Sequence, residues 1–234
     1  MKNILIITII TFFSLNIFAQ KFSGGLMIGP SLSWLKSESN TVKKEGNRFS
    51  YTWGAFIDKN LGSNFAFSTG IFVNEVGGKL QYNDSILFKY DGDNGTSEIW
   101  LKDKSIIKYK VRYIETPISI KGMTNEIGHF KYHLKIGLSP MIKWKAKADI
   151  ETLDAKNDYA KYEDRNISGE INAFNLAFHV GGGALYLLGG GSTAIIAELI
   201  YYNGILDITP DDENRNNDYN ILAHQLMLRI GIQF

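Results

Sequence analysis

The 234-residue chain has no cysteine and only four prolines. Without cysteine there is neither a disulfide framework nor a thiolate metal site, and the redox compartment is left open. Charge of one sign is lacking too: 25 Lys and Arg stand against 24 Asp and Glu. No global field therefore points to nucleic acid. The one long apolar run covers 4–18, an uncharged stretch of 15 residues, short of the roughly 20 that a transmembrane helix needs. If the remainder of the chain lies in a membrane, it has to cross as strands, because lipid offers backbone groups no other partner.

Residues 1–19 read as an export signal, with Lys2 before the apolar run and Ala19 as a small residue for cleavage ahead of Gln20. Ile17 at the −3 position departs from the small-x-small rule, which leaves the cut position open. A retained membrane anchor is the alternative. The domain reading is thus 1–19 signal peptide and 20–234 barrel. Removing the signal leaves 24 basic and 24 acidic side chains, since Lys2 is the only charge it carries.

What is present in quantity is glycine (23 residues) and aromatics (13%), together with a period-2 pattern. From Leu222 the even positions read Leu222, His224, Leu226, Leu228, Ile230, Ile232 and Phe234; the odd ones read Ala223, Gln225, Met227, Arg229, Gly231 and Gln233. Successive side chains of a strand point to opposite faces, so one face is greasy and the other mixed. Residues 131–146 alternate likewise, with Leu134, Ile136, Leu138 and Ile142 against His133, Lys135, Gly137 and Ser139. Eight such runs fall at about 22–35, 48–60, 65–82, 105–122, 130–147, 171–188, 193–206 and 219–234.

The polar faces are rich in Gly, Ala and Ser, and small residues suit the crowded inside of a narrow barrel. The apolar faces are large and aromatic at their ends, as a lipid-facing band with girdles is. Phe22, Phe65, Phe130 and Phe234 are candidates for one rim, and Trp34, Trp53 and Trp144 for the other. The links alternate long (36–47), short (61–64), long (83–104), short (123–129), long (148–170), short (189–192) and long (207–218). That is the arrangement of short periplasmic turns and long outer loops. The fold expected is therefore all-β: an eight-stranded, antiparallel, up-and-down transmembrane β-barrel. One run breaks phase: Ile107, Tyr109, Val111 and Tyr113 are odd, whereas Ile114, Ile118 and Ile120 are even. A β-bulge near Tyr113 would explain it. The preferred reading is a strand whose upper half stands above the membrane, since about 9–11 residues suffice to cross.

The run Tyr113-Ile114-Glu115-Thr116-Pro117-Ile118-Ser119-Ile120-Lys121 resembles the Y-[LI]-E-x-P-[LI]-x-[LI]-K signature of PorT-like outer-membrane β-barrel proteins of the Bacteroidetes type. Gly54-Ala55-Phe56, Ser68-Thr69-Gly70-Ile71-Phe72-Val73, Gly181-Gly182-Gly183, the segment from Tyr201 to Ile208, and the terminal Gly231-Ile232-Gln233-Phe234 are similar to further elements of that family, in order. Thr116 and Ile200 depart from it; an aliphatic residue and an arginine are usual at those positions. The resemblance implies an outer-membrane location and the barrel fold. The founding member's link to protein secretion transfers only weakly, because function resides in sites rather than folds.

Glu115, Lys135, Glu198 and Arg229, with His133 and His179, are the candidate polar network of the lumen. Buried charges have to be paired, and an eight-stranded barrel is just wide enough for side chains to fill it. The expected role is structural. A proton path or acid–base site is the sharper alternative, but no helix-borne metal spacing or nucleophile motif accompanies these residues, so no enzyme activity, cofactor or resident metal is expected. The long links carry an acidic excess, seven acidic against three basic residues over 148–170. Asp91-Gly92-Asp93-Asn94-Gly95 and Asp211-Asp212-Glu213 are weak calcium candidates that fail the EF-hand order; solvated, mobile loops are preferred. The function expected is a small non-enzymatic outer-membrane protein, structural or partner-binding through acidic outer loops. Its partners are outer-membrane lipid and a protein at those loops, with no nucleic acid. The alternatives are an accessory of a secretion or transport assembly, and a soluble lipocalin-like carrier.

Overall fold

A computed structural model describes residues 22–92, 95–153, 159–189, 193–210 and 219–234; the expected signal peptide lies outside the described residues. In chain order the strands are β1 (Phe22–Ser37), β2 (Val42–Gly46), β3 (Arg48–Asn60), β4 (Phe65–Tyr82), β5 (Ile86–Gly92), β6 (Gly95–Leu101), β7 (Ser105–Glu115), β8 (Ile118–Met123), β9 (Phe130–Leu153), β10 (Tyr159–Asn166), β11 (Phe174–Leu187), β12 (Ala194–Gly204) and β13 (Ile221–Gln233). One 3-10 turn, Ser168–Glu170, precedes β11.

The wall is a closed antiparallel ring in the order β1, β3, β4, β7, β9, β11, β12, β13 and back to β1. β8 continues β7 between β4 and β9. The break between them falls at Thr116 and Pro117; a proline has no N–H for the ladder, and Thr116 N–H reaches across to the carbonyl of Pro140 at 3.0 Å. At the short-turn end the first and last strands are sealed by reciprocal bonds between Gly24 and Phe234, at 3.0 and 2.8 Å. Closure leaves no edge for lipid to face. The result is an eight-stranded, up-and-down, transmembrane β-barrel, one wall strand to each periodic run of the sequence.

Facing follows the alternation. Leu226, Leu228 and Ile230 are 39, 43 and 48% exposed, while Arg229 is 1% and Glu198 2%. The oily face looks out and the charged face is enclosed, which excludes the soluble-carrier alternative. Phe22, Phe65, Phe130 and Phe234 are exposed at the short-turn end, and Trp53 and Trp144 are exposed toward the other.

Three points bear on the sequence readings: the preferred account of the phase break, a strand standing above the membrane, is kept, and only the open-loop reading is corrected. First, no bulge flips the 105–122 run. Ile107, Tyr109, Val111, Tyr113 and Glu115 all point inward along β7, and Ser119 and Lys121 continue that face in β8. The bulge lies opposite, in β9: Arg112 pairs with Lys145 and Tyr113 with Lys143, so Trp144 is the extra residue. What changes is the polarity of the inner face, because the upper half of the strand stands clear of the bilayer. Second, the long links 83–104 and 148–170 are not open loops. β5 and β6 form a hairpin, β10 folds back on β9, and the two units meet at Asn166 and Asp91. Third, this outer part has its own apolar core, in which Leu80, Phe88, Leu101, Ile107, Tyr109 and Ile150 are buried. Beyond the lipid, water bathes the outer face, so apolar side chains turn inward.

Candidate functional site

The lumen at membrane depth holds three cations and three carboxylates joined as three ion pairs. Arg229 of β13 reaches Glu115 of β7 at 3.2 Å, Lys121 of β8 reaches Asp58 of β3 at 2.7 Å, and Lys135 of β9 pairs with Glu198 of β12. All but Lys135 are at most 2% exposed, and Lys135 has 11% of its side chain open. Glu115 also accepts bonds from Asn74 Nδ2 (2.9 Å), Ser139 Oγ (3.1 Å) and the Tyr202 hydroxyl. The guanidinium of Arg229 lies over the Phe72 ring, 4.1 Å from its centroid, and also contacts Thr52 Oγ1. His133 Nε2 bonds Glu198 at 2.9 Å. His179 sits between Ser119 (2.8 Å) and Ser139 (3.0 Å). One glycine makes the close packing possible, and another makes the turn beside it. A Cβ on Gly183 would fall 2.9 Å from the His133 ring, and Gly189, at φ +52°, turns the chain between β11 and β12.

All six network residues named from sequence are brought together here. Sequence reasoning missed Asn74, Ser139 and Tyr202 as members, and did not pair Asp58 with Lys121. Asp58 shares the small, polar parity of 48–60 with Ser50, Thr52 and Gly54, a signal that alternation offers; Tyr202 gave no usable signal, because a tyrosine near a strand end reads equally as a girdle residue. Below this belt, Met27, Phe56, Phe72, Leu185 and Ile196 form a second apolar cluster at the short-turn end. Chemically, the belt offers paired charges and two buried imidazoles. No group of three or more His, Asp or Glu side chains able to hold a metal occurs among the described residues. Of the calcium candidates, Asp91 accepts a bond from Asn166 at 2.9 Å; Asp93, Asn94 and 211–213 lie outside the described residues.

Above the belt, the outer wall carries a ladder of ion pairs. Glu75 holds Arg48 (3.1 Å) and Arg112; Asp149 holds Lys110 (2.6 Å) and Lys108 (3.8 Å); Asp164 holds Lys147. Burial alone would raise the Asp149 carboxyl, but the Lys110 ammonium, the Asp164 backbone N–H and Lys108 outweigh it and hold it below the usual carboxylate range. Burial is likewise overcome at Glu75, which Arg112 and Arg48 hold low.

The profile of the outer membrane protein β-barrel domain family matches residues 18–210, and the chain belongs to that family. Its location is the outer membrane. Solved barrels of low identity resemble it in outline. The attachment invasion locus protein Ail of Yersinia pestis, solved with a heparin analogue, is 12% identical, with 92% of this chain and 99% of that one covered, at a TM-score of 0.38. Neisserial surface protein A is 11% identical, covering 91% and 97%, at 0.43. The outer membrane protease OmpT of Escherichia coli is 10% identical, covering 92% and 96%, at 0.41. Likenesses at that level carry nothing about role. Among curated proteins none matches the chain.

Proposed function

We propose that this outer-membrane barrel is non-enzymatic and works through its outer end, as an envelope component that presents a partner-binding surface. The observation that carries the reading is the contrast between its two halves. The lumen is filled by charges held in ion pairs, which suits a plug. The outer strands instead build a packed platform. On that platform Trp100 is 69% exposed, and Glu98, Asp103 and Glu163 stand in solvent. An exposed tryptophan among acidic side chains suits a basic protein partner, since aromatic anchors and charge complementarity serve affinity and encounter respectively.

A second reading is a PorT-like role within a secretion assembly. It is favoured by the signature positions: Tyr113, Glu115, Pro117 and Lys121 all lie on the buried inner face, so the motif reads as a recipe for packing this type of lumen. Replacing 86–101 with a short turn tests the first reading. A barrel that still folds but no longer cross-links to its cell-surface partner supports it; full function of the shortened barrel contradicts it. Loss of secreted proteins on deletion of the chain would favour the second. Planar-bilayer recording adds a check on both: a steady conductance would contradict the plug.

A further inference from the structure

On three adjacent strands the outward face changes from apolar to charged at a single rung. Val73, Ile114 and Ile142 are register partners on the outward parity, Val73 itself covered and Ile142 open, with Ile71 exposed one step below Val73; the next outward rung is Glu75, Arg112 and Lys145. Below it, 65–73 of β4 supplies nine residues, enough to cross the hydrocarbon. The rung therefore marks where acyl chains end and headgroups begin. Trp144 is exposed beside it, with the Arg112 guanidinium 5.6 Å from its ring centroid. Tryptophan prefers that level of the membrane.

At this level the wall has a hollow of about 280 Å³, lined by Arg48, Lys110, Arg112, Lys145 and Lys147 against Glu75 and Asp164. Five cations face two carboxylates there; counting Asp149 behind the hollow, the balance is still positive. Both lining carboxylates are already engaged, Glu75 by two arginines and Asp164 by Lys147 and Lys110. Two donors are left over. Lys145 is exposed and makes no ion pair among the described residues. Arg48 Nη1 is buried in the wall without a hydrogen-bond acceptor. A buried guanidinium nitrogen lacking an acceptor is a cost that an anion would remove.

We propose that this hollow binds the phosphate of an anionic glycolipid of the outer leaflet. Arg48 and Lys145 contact the phosphate, while Arg112 and Trp144 form the floor at the acyl boundary. The site opens sideways on the wall and borders the platform assigned to a protein partner at β10, which supplies Asp164 to the one and Glu163 to the other. Clustered basic residues at a membrane surface select anionic headgroups by charge, and a phosphate at this depth meets them without leaving the leaflet.

The test uses the refolded full barrel in micelles doped with equal amounts of lipid A and the same lipid A stripped of its phosphates, with bound lipid read by native mass spectrometry. Retention of the phosphorylated form at least fivefold over the stripped form is expected. K145A should lower that preference severalfold and K145E should abolish it. K131A, at the short-turn end where Lys131 pairs with Glu126, should leave it unchanged. Folding of each variant is checked by heat-modifiable gel migration, and the exposed Lys145 side chain makes its alanine variant a safe one. Equal retention of the two lipids, or wild-type preference in both Lys145 variants, would overturn the proposal.

Discussion

Replacing Arg229 with methionine probes the lumen belt most sharply. The wild-type guanidinium is fully enclosed, 3.2 Å from Glu115 and 4.1 Å from the Phe72 ring centroid. Methionine keeps much of the volume and the contact with Phe72 but leaves Glu115 charged, with only neutral donors around it. Removing one partner of a buried pair costs about 3–5 kcal/mol, because the remaining charge stays desolvated. Changing Glu115 to glutamine as well removes that charge; its amide oxygen still accepts from Ser139 and Tyr202, and its NH2 replaces the oxygen facing Asn74, whose unpaired Oδ1 can accept from it once that amide turns over. The double variant should therefore be more stable than R229M by about 1.5 kcal/mol or more, roughly a tenfold change in the folding equilibrium. The assay is reversible urea unfolding of the barrel in lipid vesicles, followed by tryptophan fluorescence and by gel migration. An R229M barrel within about 0.5 kcal/mol of wild type, or single effects that simply add, would refute the reasoning.

Other predictions test other parts of the molecule. Ile136 is 51% exposed near the middle of the lipid-facing run of β9; I136R should cost about 2–4 kcal/mol in the same vesicle assay, whereas a cost near zero would put that face elsewhere. The depressed Asp149 carboxyl means that its pairing stabilises the outer ladder above its unfolded-state pKa, and that this stability is lost as pH falls through the lower folded value. Amide exchange of the outer rungs of β7 and β9 should therefore rise below the usual carboxylate range, and D149N should show raised exchange at neutral pH with little further acid dependence. G183V should abolish folding, since a Cβ there meets the Ala197 carbonyl oxygen at 2.0 Å as well as the His133 ring; native gel migration of the variant would contradict this.

The membrane half of the fold was legible because lipid imposes a simple code. Along 130–142 and 226–234, each second residue faces acyl chains and has to be apolar, so faces could be assigned from alternation and the link lengths supplied the orientation. The outer half was not legible by the same code, because its solvent is different. In β7, Lys108, Lys110 and Arg112 face water while Ile107, Tyr109 and Val111 pack inside, the reverse of the rule a few residues further on. In β9 the extra residue Trp144 shifts the phase itself, so that Ala146, Ala148 and Ile150 face inward on the parity that faces lipid at Ile136 and Ile142, whereas β7 inverts its polarity with no change of phase. Read under one code, this inversion looks like a phase slip. The hairpin of β5 and β6 escaped notice because it lies in a charge-rich link, five acidic and three basic residues over 83–104, and Ile86, Phe88 and Leu101 bury in an outer core that lipid-facing alternation does not report. In the lumen the charged members stood out, since a lone charge on a small-residue face has few explanations. Their neutral partners did not, because Asn74 and Tyr202 gain their meaning only from residues 41 and 87 positions away.

The absence of native cysteine makes one measurement especially direct. Single cysteines from 225 to 232 can be spin-labelled one at a time in the reconstituted barrel, and collision with oxygen dissolved in the bilayer compared with collision against a water-soluble nickel chelate. Oxygen accessibility should peak at 226, 228, 230 and 232 and fall at 227, 229 and 231. Peaks at 227 and 229, or an alternation seen only with the nickel reagent, would contradict an outward oily face and an enclosed charged one.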